Sequence, residues 1–451
     1  MATTYLSRTG IGSSNNQKKW TFSGWFKKSL NGSEQRIITS SDNSSYDDCL
    51  RWRSNDKVSV VFNNVHVLQT NRVCRDNNAW YHIVLKVDTD QASANDRIVL
   101  YVNGLDQRTN GGYTTDSMPN QGTTGYINYA QHYIGVTNPS ANSHHFNGIM
   151  SHVHFTDGYA YTSTSFGETD STTGEWKIKT SPSVSYGTTG FWILKDGNSV
   201  TDSSPNSNTF TVSAGTLTKT EDCPSNVFCT VNPLARYAAN LNITNGNTTL
   251  DENGDNWQMA SSTLGASTGK WYLEYKIQTA GYQNGYHKIG FISDQAFANN
   301  TGHIAESALD GGYAFYCQNG SLEVRTNDAV ISGYSQSDLG VNLTAGSVMC
   351  LAIDMDNKRA YFRKNADAWI KSANPVNGTN GLDISADYTT GKAMIPAVAI
   401  FKGGAGSINF GNGYFGQSAV SSAGTNASNN GIFEYDVPTG YTALSTKGLN
   451  L

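Results

Sequence analysis

Residues 349–365 read MCLAIDMDNKRAYFRKN, in which two apolar runs flank a polar tetrapeptide at 356–359. Successive side chains of a strand point to opposite faces, and residues 349–353 are all apolar, so both faces of the first run are apolar. Such a strand is typical of the centre of a β-sandwich, where it is buried on both sides. The stretch therefore predicts a central β-hairpin, with Asp354 and Asp356 satisfying backbone groups of its turn.

The composition of the whole chain extends this prediction to an all-β protein. The chain has 451 residues, of which 37% are hydrophobic and 15% charged, with 45 glycines and 24 tyrosines. Aromatic and β-branched residues suit pleated surfaces, whereas glycine and asparagine suit turns. Long Leu/Ala/Glu/Lys stretches that would favour helices are absent from the sequence. Because the length suits two or three domains, we predict two antiparallel β-sandwich (jelly-roll) domains joined by a β connector.

Charge and cysteine usage argue against several classes of protein. The net charge is −5 without a basic stripe, so we expect no nucleic-acid partner. The N-terminal MATTYLSRTG lacks the pattern of a signal peptide, and no apolar run is long enough for membrane insertion. The six cysteines lack the spacing of zinc ligands, and we interpret them as mostly reduced, in a protein made in a cytosol. Cys317 and Cys350 are predicted to remain thiols in the second sandwich.

The first part of the chain, residues 1–165, contains a series of short strand patterns. The alternation of residues 80–88 predicts a half-buried strand. The ordered set FSGWFKKS, AWYHIVLKVD, IVLYVNG, YIGV and FNGIMSHVHF resembles the laminin-G-like, concanavalin-type jelly roll. After FNG that family often carries acidic residues, where this chain has Ser151, His152 and His154. The resemblance implies a β-sandwich over residues 1–165.

Residues 236–416 contain a second series of strand patterns. The segments GKWYLEYKI, AIDMDNKRAYFRKN, IPAVAI and INFG follow one another in this order. Together they resemble the SPRY domain, a β-sandwich recognition module. The resemblance implies a second β-sandwich that contains the hairpin of residues 349–365.

The remaining segments, 166–235 and 417–451, are interpreted as connectors. The first is rich in Ser, Thr, Gly and Pro, and we expect Trp192 and Phe210 to dock on a neighbouring module. Its stretches SFGETDSTTGEWKIK, YGTTGFWIL and DCPSNVFCTVNPL, with the C-terminal IFEYDVPTGYTALSTKGL, resemble connectors of marine tailed-phage virion proteins. This resemblance implies a virion structural protein displayed on the particle exterior as a fibre, appendage or decoration. It also implies a homo-oligomer that contacts other virion proteins and either adheres to host surface glycans or has a purely architectural role.

The sequence does not predict an enzyme. A glycoside hydrolase of concanavalin-type fold needs carboxylates at alternating positions of one strand. No Glu-x-Asp-x-Glu or Glu-x-Asp-x-x-Glu pattern occurs, and the segment FEYDVP offers only Glu434 and Asp436. A polysaccharide-degrading enzyme and a soluble host lectin are the alternative functions. The missing carboxylate pattern argues against the enzyme, and the phage-type connectors argue against the host lectin.

Metal and cofactor sites are not predicted either. His152 and His154 are two residues apart on a predicted strand, and two more histidines follow each other at 144–145. We interpret all four as polar residues on a solvated sheet face, because histidine ligands usually need a third ligand and an orienting partner. The acidic stretches 41–48 and 251–256 could suit calcium, but neither has a full loop pattern, and we interpret them as solvated turns.

Glycan binding is the predicted interaction, because sugars pair their C–H faces with aromatic rings and their hydroxyls with polar groups. The first domain offers two tyrosines in GYINYAQHY, and the second offers four aromatic residues in polar or Gly-rich stretches. These rings could instead anchor subunit contacts, which also favour tyrosine and tryptophan. The candidate ligand-binding residues are Tyr126, Tyr129, Tyr282, Tyr286, Tyr334 and Trp369.

Overall fold

The chain divides into two compact units, Met1–Lys219 and Thr220–Leu451. This boundary lies inside the segment 166–235, so most of that segment belongs to the first unit and the rest to the second. The computed structural model describes residues 3–9, 16–41, 46–129, 131–195, 199–237, 240–252, 254, 256–279, 286–295, 302–306, 311–318, 320–389 and 391–450.

Two antiparallel sheets form the first unit. In spatial order the larger sheet has eight strands: β10 (Tyr113–Asp116), β6 (Val65–Val73), β5 (Lys57–Phe62), β4 (Asp47–Trp52), β3 (Gln35–Ser41), β11 (Gln131–Ile134), β1 (Tyr5–Thr9) and β16 (Thr211–Ala214). The smaller sheet has six strands: β15 (Phe191–Ile193), β12 (Gly148–Asp157), β2 (Lys19–Lys28), β7 (Tyr81–Asp88), β8 (Ile98–Val102) and β9 (Leu105–Asp106). A separate hairpin pairs β13 (Gly167–Thr169) with β14 (Trp176–Ile178), and two short helical turns cover Ala94–Arg97 and Ser163–Ser165.

The core of the first unit lies between its two sheets. Phe26 of β2 meets Trp52 of β4 edge to face at 5.7 Å, and both side chains are fully buried. Phe210, from the segment before β16, packs on Phe191 of β15 at 4.7 Å. Trp192 is also buried in this unit. The two aromatic residues that we expected to dock on a module thus pack within the first unit.

Strand β7 is predicted to be half-buried, and this prediction is wrong. His82 and Val84 lie on the face that the alternation assigns to solvent, yet both are fully buried. Trp176 of β14 covers this face and donates from Nε1 to Nδ1 of His82 at 3.0 Å. The hairpin of β13 and β14 therefore forms an additional layer outside the six-stranded sheet.

The interpretation of His154 as a residue on a solvated face is also wrong. Its side chain is 2% exposed, its ring stacks on Trp192 at 5.0 Å, and its Nδ1 lies 2.9 Å from the hydroxyl of Tyr186. This burial holds the pKa of His154 well below its usual value. The register of β12 against β2 shifts between Ser151 and His154, and His152 has a φ of 48°. A bulge thus interrupts the period of two on which the interpretation depended.

Two sheets form the second unit, with antiparallel pairing except for β33. In spatial order one sheet has seven strands: β17 (Val231–Tyr237), β20 (Gln258–Ser262), β29 (Met394–Ile400), β22 (Tyr286–Ser293), β23 (Tyr313–Gln318), β24 (Ser321–Thr326) and β25 (Ala329–Val330). The other has β18 (Leu241–Thr244), β19 (Thr249–Glu252), β30 (Ala405–Asn409), β21 (Lys270–Thr279), β26 (Val348–Asp354), β27 (Arg359–Lys364) and β28 (Leu382–Asp383), with β33 (Thr442–Ala443) parallel to β21. Outside these sheets lie β31 (Tyr414–Phe415), β32 (Ser418–Ala419) and short helical turns at Gln336–Leu339, Ile370–Ser372 and Gly448–Asn450.

The central hairpin predicted from residues 349–365 is confirmed. Strand β26 pairs with β21 on one side and β27 on the other. Its residues Met349, Leu351 and Ile353 face the core between the two sheets, and its residues Cys350 and Ala352 face a second apolar cluster on the opposite side. All five side chains are fully buried. The predicted fold class, all-β with antiparallel β-sandwiches, is likewise confirmed.

Asp354 organises the turn of this hairpin as predicted, whereas Asp356 accepts from a backbone group outside the turn. Oδ1 of Asp354 accepts hydrogen bonds from the backbone N–H groups of Asp356 (3.1 Å) and Asn357 (2.9 Å). Oδ1 of Asp356 accepts one from the backbone N–H of Gly269 at 2.7 Å. Asp354 also pairs with Lys270, whose Nζ lies 3.1 Å from Oδ2. The two carboxylates therefore fasten the hairpin to itself and to the start of β21.

The C-terminal segment 417–451, interpreted as a connector, packs on the outer face of this sheet. Phe433 meets the ring of Tyr272 edge to face at 4.9 Å, and Tyr441 is 1% exposed. Both belong to the apolar cluster that covers Cys350 and Ala352. The segment thus forms a third layer on the second sandwich.

Both cysteines that are predicted to remain thiols are unpaired and buried in the second unit. Cys317 belongs to the core between the sheets, and Cys350 belongs to the outer cluster. Burial raises the pKa of Cys317 to about 11 and that of Cys350 to about 12. The prediction for these two residues is confirmed.

Candidate functional site

Three tyrosines form a ring cluster at one end of the first sandwich. The rings of Tyr46 and Tyr126 are stacked, with centroids 5.0 Å apart and an interplanar angle of 19°. Tyr129 stands edge-on to both, 5.6 Å from Tyr46 and 5.8 Å from Tyr126. Its side chain is 47% exposed, which is unusual for a large aromatic residue in this chain. We call Tyr46, Tyr126 and Tyr129 the tyrosine cluster.

The strands of the eight-stranded sheet place the tyrosine cluster at one end of the sandwich. Tyr46 directly precedes β4, and Tyr126 and Tyr129 lie in the loop that leads into β11. Strands β4 and β11 flank β3 and run antiparallel to it, so both begin at the same end of the sheet. The two chain segments that carry the rings therefore meet there.

Asp48 fixes the loop that carries Tyr126. Its side chain is fully buried and its Oδ2 accepts hydrogen bonds from the backbone N–H groups of Tyr126 (2.6 Å) and Asn63 (2.9 Å). Its Oδ1 accepts one from the backbone N–H of Asn64 at 2.9 Å. Burial raises the pKa of Asp48, although these three donors oppose the shift. One carboxyl group thus joins the turn after β5 to the tyrosine-bearing loop.

Gly125 allows this loop to lie directly on the core. A Cβ atom at this position would overlap the ring of Phe62, which is fully buried at the end of β5. A side chain here would force the loop outward and move Tyr126, its immediate neighbour. The absence of a side chain is therefore part of what sets the position of the tyrosine cluster.

Polar residues adjoin the tyrosine cluster along the chain, and Nε2 of one of them, Gln131, lies 3.5 Å from the hydroxyl of Tyr46. Asp47 pairs with Arg36, with Nη2 and Oδ2 3.3 Å apart, and 45% of its side chain is exposed. Gln131 donates from Nε2 to the backbone carbonyl of Ser41 at 2.7 Å. An exposed ring beside an amide group offers two features that a sugar requires, namely an apolar face and a hydrogen-bonding partner.

Sequence reasoning found two members of the tyrosine cluster and missed the third. Tyr126 and Tyr129 were candidate glycan-binding residues, whereas Tyr46 lies in the acidic stretch 41–48, which we interpreted as a solvated turn. Its partner Tyr126 is 80 positions away in sequence, so no local pattern brings them together. Residues 42–45 of that stretch lie outside the described residues.

In the second unit, Tyr286 belongs to a different ring cluster. Trp257 lies 6.2 Å from Tyr286 and 5.4 Å from Phe401, measured between ring centroids. The amine of Lys288 lies 4.8 Å from the Trp257 centroid and donates to the backbone carbonyl of Ile304 at 3.1 Å. Burial lowers the pKa of Lys288 to about 8. A cation of the protein itself therefore occupies the face of this ring cluster.

Two further candidates of the second unit each lie against a cationic side chain of the protein. Tyr334 is 9% exposed, and Nζ of Lys371 lies 4.7 Å from its ring centroid. Trp369 is half-buried, with Cζ of Arg363 4.7 Å from its ring centroid. Tyr282 lies outside the described residues.

A cleft of about 670 Å³ opens in the second unit, beside the turn of the central hairpin. Its polar groups already have partners: Trp271 donates from Nε1 to the carbonyl of Thr268 at 2.8 Å, and Lys270 and Asp356 make the contacts described above. None of the candidate glycan-binding residues lines it. Its lining includes Lys270, Trp271, Asp356, Tyr441, Thr442 and Leu449.

Over the described ranges, no group of three or more His, Cys, Asp or Glu side chains is placed to hold a metal ion. His152 and His154 are close, with ring centroids 6.4 Å apart, but aromatic residues surround His154. Asn253 and Asp255 of the stretch 251–256 lie outside the described residues. Within the part of the chain that the structure describes, no helix has the length and apolar character needed to cross a membrane.

Comparison with known proteins places a family match on the first unit. Residues 2–164 match the family model Laminin_G_3, described as the concanavalin A-like lectin/glucanases superfamily. Comparison with curated proteins gives no match.

Solved structures give distant similarities. The SPRY domain of human HERC1 is 16% identical, with 40% of this chain and 96% of that chain covered and a TM-score of 0.30. The PSpry domain of TRIM65 is 11% identical, with 40% of this chain and 91% of that chain covered and a TM-score of 0.28. A protein from Bacteroides ovatus, named as a proposed carbohydrate binding protein, is 18% identical, with coverages of 36% and 43% and a TM-score of 0.28. At these TM-scores the similarities carry no argument about function.

Proposed function

We propose that this protein binds carbohydrate through the tyrosine cluster of its first unit, without cleaving it. The observation that carries the proposal is the exposed ring of Tyr129, which stands edge-on to the stacked rings of Tyr46 and Tyr126. Asp48 fixes the backbone of Tyr126, and Nε2 of Gln131 lies 3.5 Å from the hydroxyl of Tyr46. The match of residues 2–164 to the concanavalin A-like lectin/glucanases superfamily supports carbohydrate as the ligand.

The carboxyl groups next to the tyrosine cluster favour binding over hydrolysis. A glycosidase needs two carboxyl groups that flank the scissile bond and act on it as acid and as nucleophile or base. Asp48 is buried and accepts three backbone hydrogen bonds, and Asp47 is paired with Arg36. Both carboxyl groups therefore have structural partners. A polysaccharide-degrading enzyme remains the alternative that the experiment below addresses.

The biological setting that we propose is the exterior of a phage particle. The connector-like segments of this chain resemble those of marine tailed-phage virion proteins, and a virion protein is present in many copies. We propose a homo-oligomer that contacts other virion proteins and adheres to host surface glycans. Many weak sites then act together through their effective concentration. A purely architectural role is the alternative within the same setting.

The proposal is tested by measuring how the 451-residue chain binds a set of soluble polysaccharides. Affinity electrophoresis screens the set, and titration calorimetry measures the dissociation constants. We expect weak binding, with dissociation constants of about 1 mM, that is lost in Tyr129→Ala. The matched control is Leu234→Ala, because Leu234 is 64% exposed in the second unit and lies outside the tyrosine cluster. Release of reducing sugar that depends on a Glu or Asp would instead establish the enzyme. An absence of binding to every polysaccharide would favour the architectural role.

A further inference from the structure

We propose that a second stacking position, at Tyr159, extends the tyrosine cluster into a platform for a linear, uncharged oligosaccharide. The platform would bind several consecutive sugar units within a glycan chain instead of a single terminal sugar. This inference rests on the proposed function, because it assumes that the tyrosine cluster binds carbohydrate.

Exposure singles out two aromatic rings. Among the described residues, the exposed large hydrophobic side chains include only two aromatic ones, Tyr129 at 47% and Tyr159 at 42%. The ring of Tyr159 is stacked on Tyr161, with centroids 5.8 Å apart and an interplanar angle of 12°. Tyr161 in turn meets Phe166 edge to face at 6.2 Å. Each exposed ring is thus backed by other rings, which limits its movement and leaves part of its surface open to a ligand.

The two rings belong to the same end of the first sandwich but to different sheets. Tyr159 lies two positions after the end of β12 of the six-stranded sheet, and Tyr129 lies two positions before β11 of the eight-stranded sheet. Asn128 donates from Nδ2 to Oδ1 of Asp157 at 2.7 Å, and both side chains are buried. Asn128 is the neighbour of Tyr129, and Asp157 lies two positions before Tyr159. A single buried hydrogen bond therefore connects the two tyrosine-bearing segments.

Further hydrogen bonds fix both segments. Thr189 donates from Oγ1 to Oδ1 of Asn128 at 2.8 Å, and the backbone N–H of Asn16 donates to Oδ1 of Asp157 at 2.8 Å. The carbonyl of Tyr159 accepts from Oγ1 of Thr21 at 2.9 Å. Given the 3.8 Å spacing of successive Cα atoms, the Cα atoms of Tyr129 and Tyr159 are separated by no more than about 20 Å. An oligosaccharide of a few sugar units is long enough to cross such a distance.

The charges at this end of the sandwich indicate an uncharged ligand. Nζ of Lys18 lies 3.6 Å from Oδ1 of Asp90, and Nζ of Lys19 lies 3.3 Å from Oδ2 of Asp88. Together with the pair of Arg36 and Asp47 described above, these ion pairs balance cation against anion among the described residues, and the further cation Arg8 donates from Nη1 to the carbonyl of Thr189 at 2.7 Å. A polyanionic glycan would need unpaired cations, as phosphate and sulfate ligands do. A neutral glycan needs only rings and hydrogen-bonding groups.

The test compares chain lengths by titration calorimetry of the full-length protein. The probes are cellohexaose, laminarihexaose and mannohexaose, their disaccharides, and a mannuronate hexamer as the charged counterpart. We expect a hexasaccharide to bind about tenfold more tightly than its disaccharide, which corresponds to about 1.4 kcal/mol. Tyr159→Ala should remove this difference. Tyr159→Phe should preserve it, and circular dichroism establishes that each variant is folded.

The outcomes separate this inference from the proposed function. If Tyr129→Ala weakens hexasaccharide binding and Tyr159→Ala does not, the site has one stacking position and the inference is overturned, while the proposed function stands. Tighter binding of the mannuronate hexamer than of every neutral hexamer overturns the assignment to uncharged glycans. If none of the probes binds, both the inference and the proposed function are overturned.

Discussion

Glu274 is a single carboxyl group that holds the C-terminal segment on the second unit. Its two oxygens accept hydrogen bonds from the backbone N–H groups of Glu434 (2.9 Å) and Tyr435 (2.8 Å). They also accept from the hydroxyl of Tyr272 (3.1 Å) and from Nδ2 of Asn409 (3.3 Å). Four donors favour the ionised carboxylate, but complete burial disfavours it more strongly and raises the pKa of Glu274 to about 7.

This pKa predicts how the stability of the protein changes with pH. A carboxyl group whose pKa is higher in the folded state contributes most below its unfolded-state pKa, and the contribution falls as pH rises through the folded-state pKa. Glu274 should therefore lower the free energy of unfolding progressively between about pH 4.5 and pH 7. We subtract the free energy of unfolding of Glu274→Gln from that of the unchanged protein. This difference should be larger at pH 5 than at pH 8, by up to about 3 kcal/mol.

Denaturant unfolding of both proteins at the two pH values measures this difference. The comparison with Glu274→Gln cancels the contributions of the other titrating groups, because only position 274 changes. An equal difference at pH 5 and pH 8 would contradict the prediction. It would mean that the four donors outweigh burial and keep the folded-state carboxylate ionised across this range.

At the scale of elements, the central hairpin depends on unequal contributions from its two aspartates. Asp354 is fully buried, accepts two backbone hydrogen bonds, and pairs with Lys270. Asp356 accepts one backbone hydrogen bond, from Gly269, at the protein surface. We expect Asp354→Ala to lower the free energy of unfolding by roughly 3 kcal/mol, because it removes the buried acceptor of two turn N–H groups together with the ion pair to Lys270. Asp356→Ala should cost about 1 kcal/mol.

Denaturant unfolding of the two alanine variants, at the same pH and salt concentration, distinguishes them. Asp356→Ala is the matched control, since it shortens the same side chain two positions away in the same turn. Equal losses of stability in the two variants would show that burial and ion pairing of Asp354 add nothing to its hydrogen bonds.

The loop that leads into β11 is the element on which the tyrosine cluster depends. A Cβ atom at Gly125 would overlap the buried ring of Phe62, so Gly125→Ala should displace the loop and Tyr126 with it. We expect a loss of stability of about 1–3 kcal/mol from overpacking, together with weaker glycan binding. Binding is measured by titration with the polysaccharide that the unchanged protein binds most tightly in the proposed screen.

The control for this prediction is Gly404→Ala in the second unit. A Cβ atom there would meet its nearest neighbour, the ring of His287, at 3.3 Å, so the backbone needs little adjustment. The control should bind glycan as the unchanged protein does. Unchanged binding in Gly125→Ala would show that the loop tolerates the added methyl group and that Gly125 does not position the tyrosine cluster.

Elements that rely on local alternation were predictable from the sequence, and elements that rely on a covering layer were not. Residues 349–353 are apolar on both faces, which correctly predicted a doubly buried strand. His82 and His154 look polar in sequence, yet Trp176 and Trp192 cover them from segments far along the chain. The local sequence therefore does not distinguish a buried histidine that pairs with an indole or a hydroxyl from a solvated one.

The candidate site was predictable in part for the same reason. Tyr126 and Tyr129 lie in one short polar stretch, so composition alone suggests exposed rings. Tyr46 and Tyr159 reach the same end of the sandwich only because strands from two sheets end there. Their position is set by strand pairing over long sequence distances, which a single sequence does not reveal.

At the scale of the whole molecule, each unit is a sandwich with one sheet covered on its outer face. In the first unit Trp176 and Tyr186 contact His82 and His154 on the outer face of the six-stranded sheet, and in the second unit Phe433 and Tyr441 cover strands of the sheet that contains β26. These covering residues come from the segments 166–235 and 417–451, which we interpreted as connectors. A covering layer needs few apolar anchors, since the strands beneath supply most of the apolar surface.

The proposed display in many copies leads to a prediction about avidity. One tyrosine cluster offers a few rings to a sugar, so a single chain should bind with a dissociation constant of about 1 mM. Copies that are held together bind a polymer with an effective concentration that can raise the apparent affinity by 10²–10⁴, on the order of magnitude known for linked sites.

We expect the protein immobilised densely on beads to retain a polysaccharide that the free chain binds only weakly. Size-exclusion chromatography with light scattering shows whether the free chain is already an oligomer. Beads carrying Tyr129→Ala at the same density are the control, and they should lose the polysaccharide as quickly as uncoated beads do. Equal apparent affinities at high and low bead density would contradict the multivalent mechanism, because an effect of effective concentration must weaken as the copies move apart.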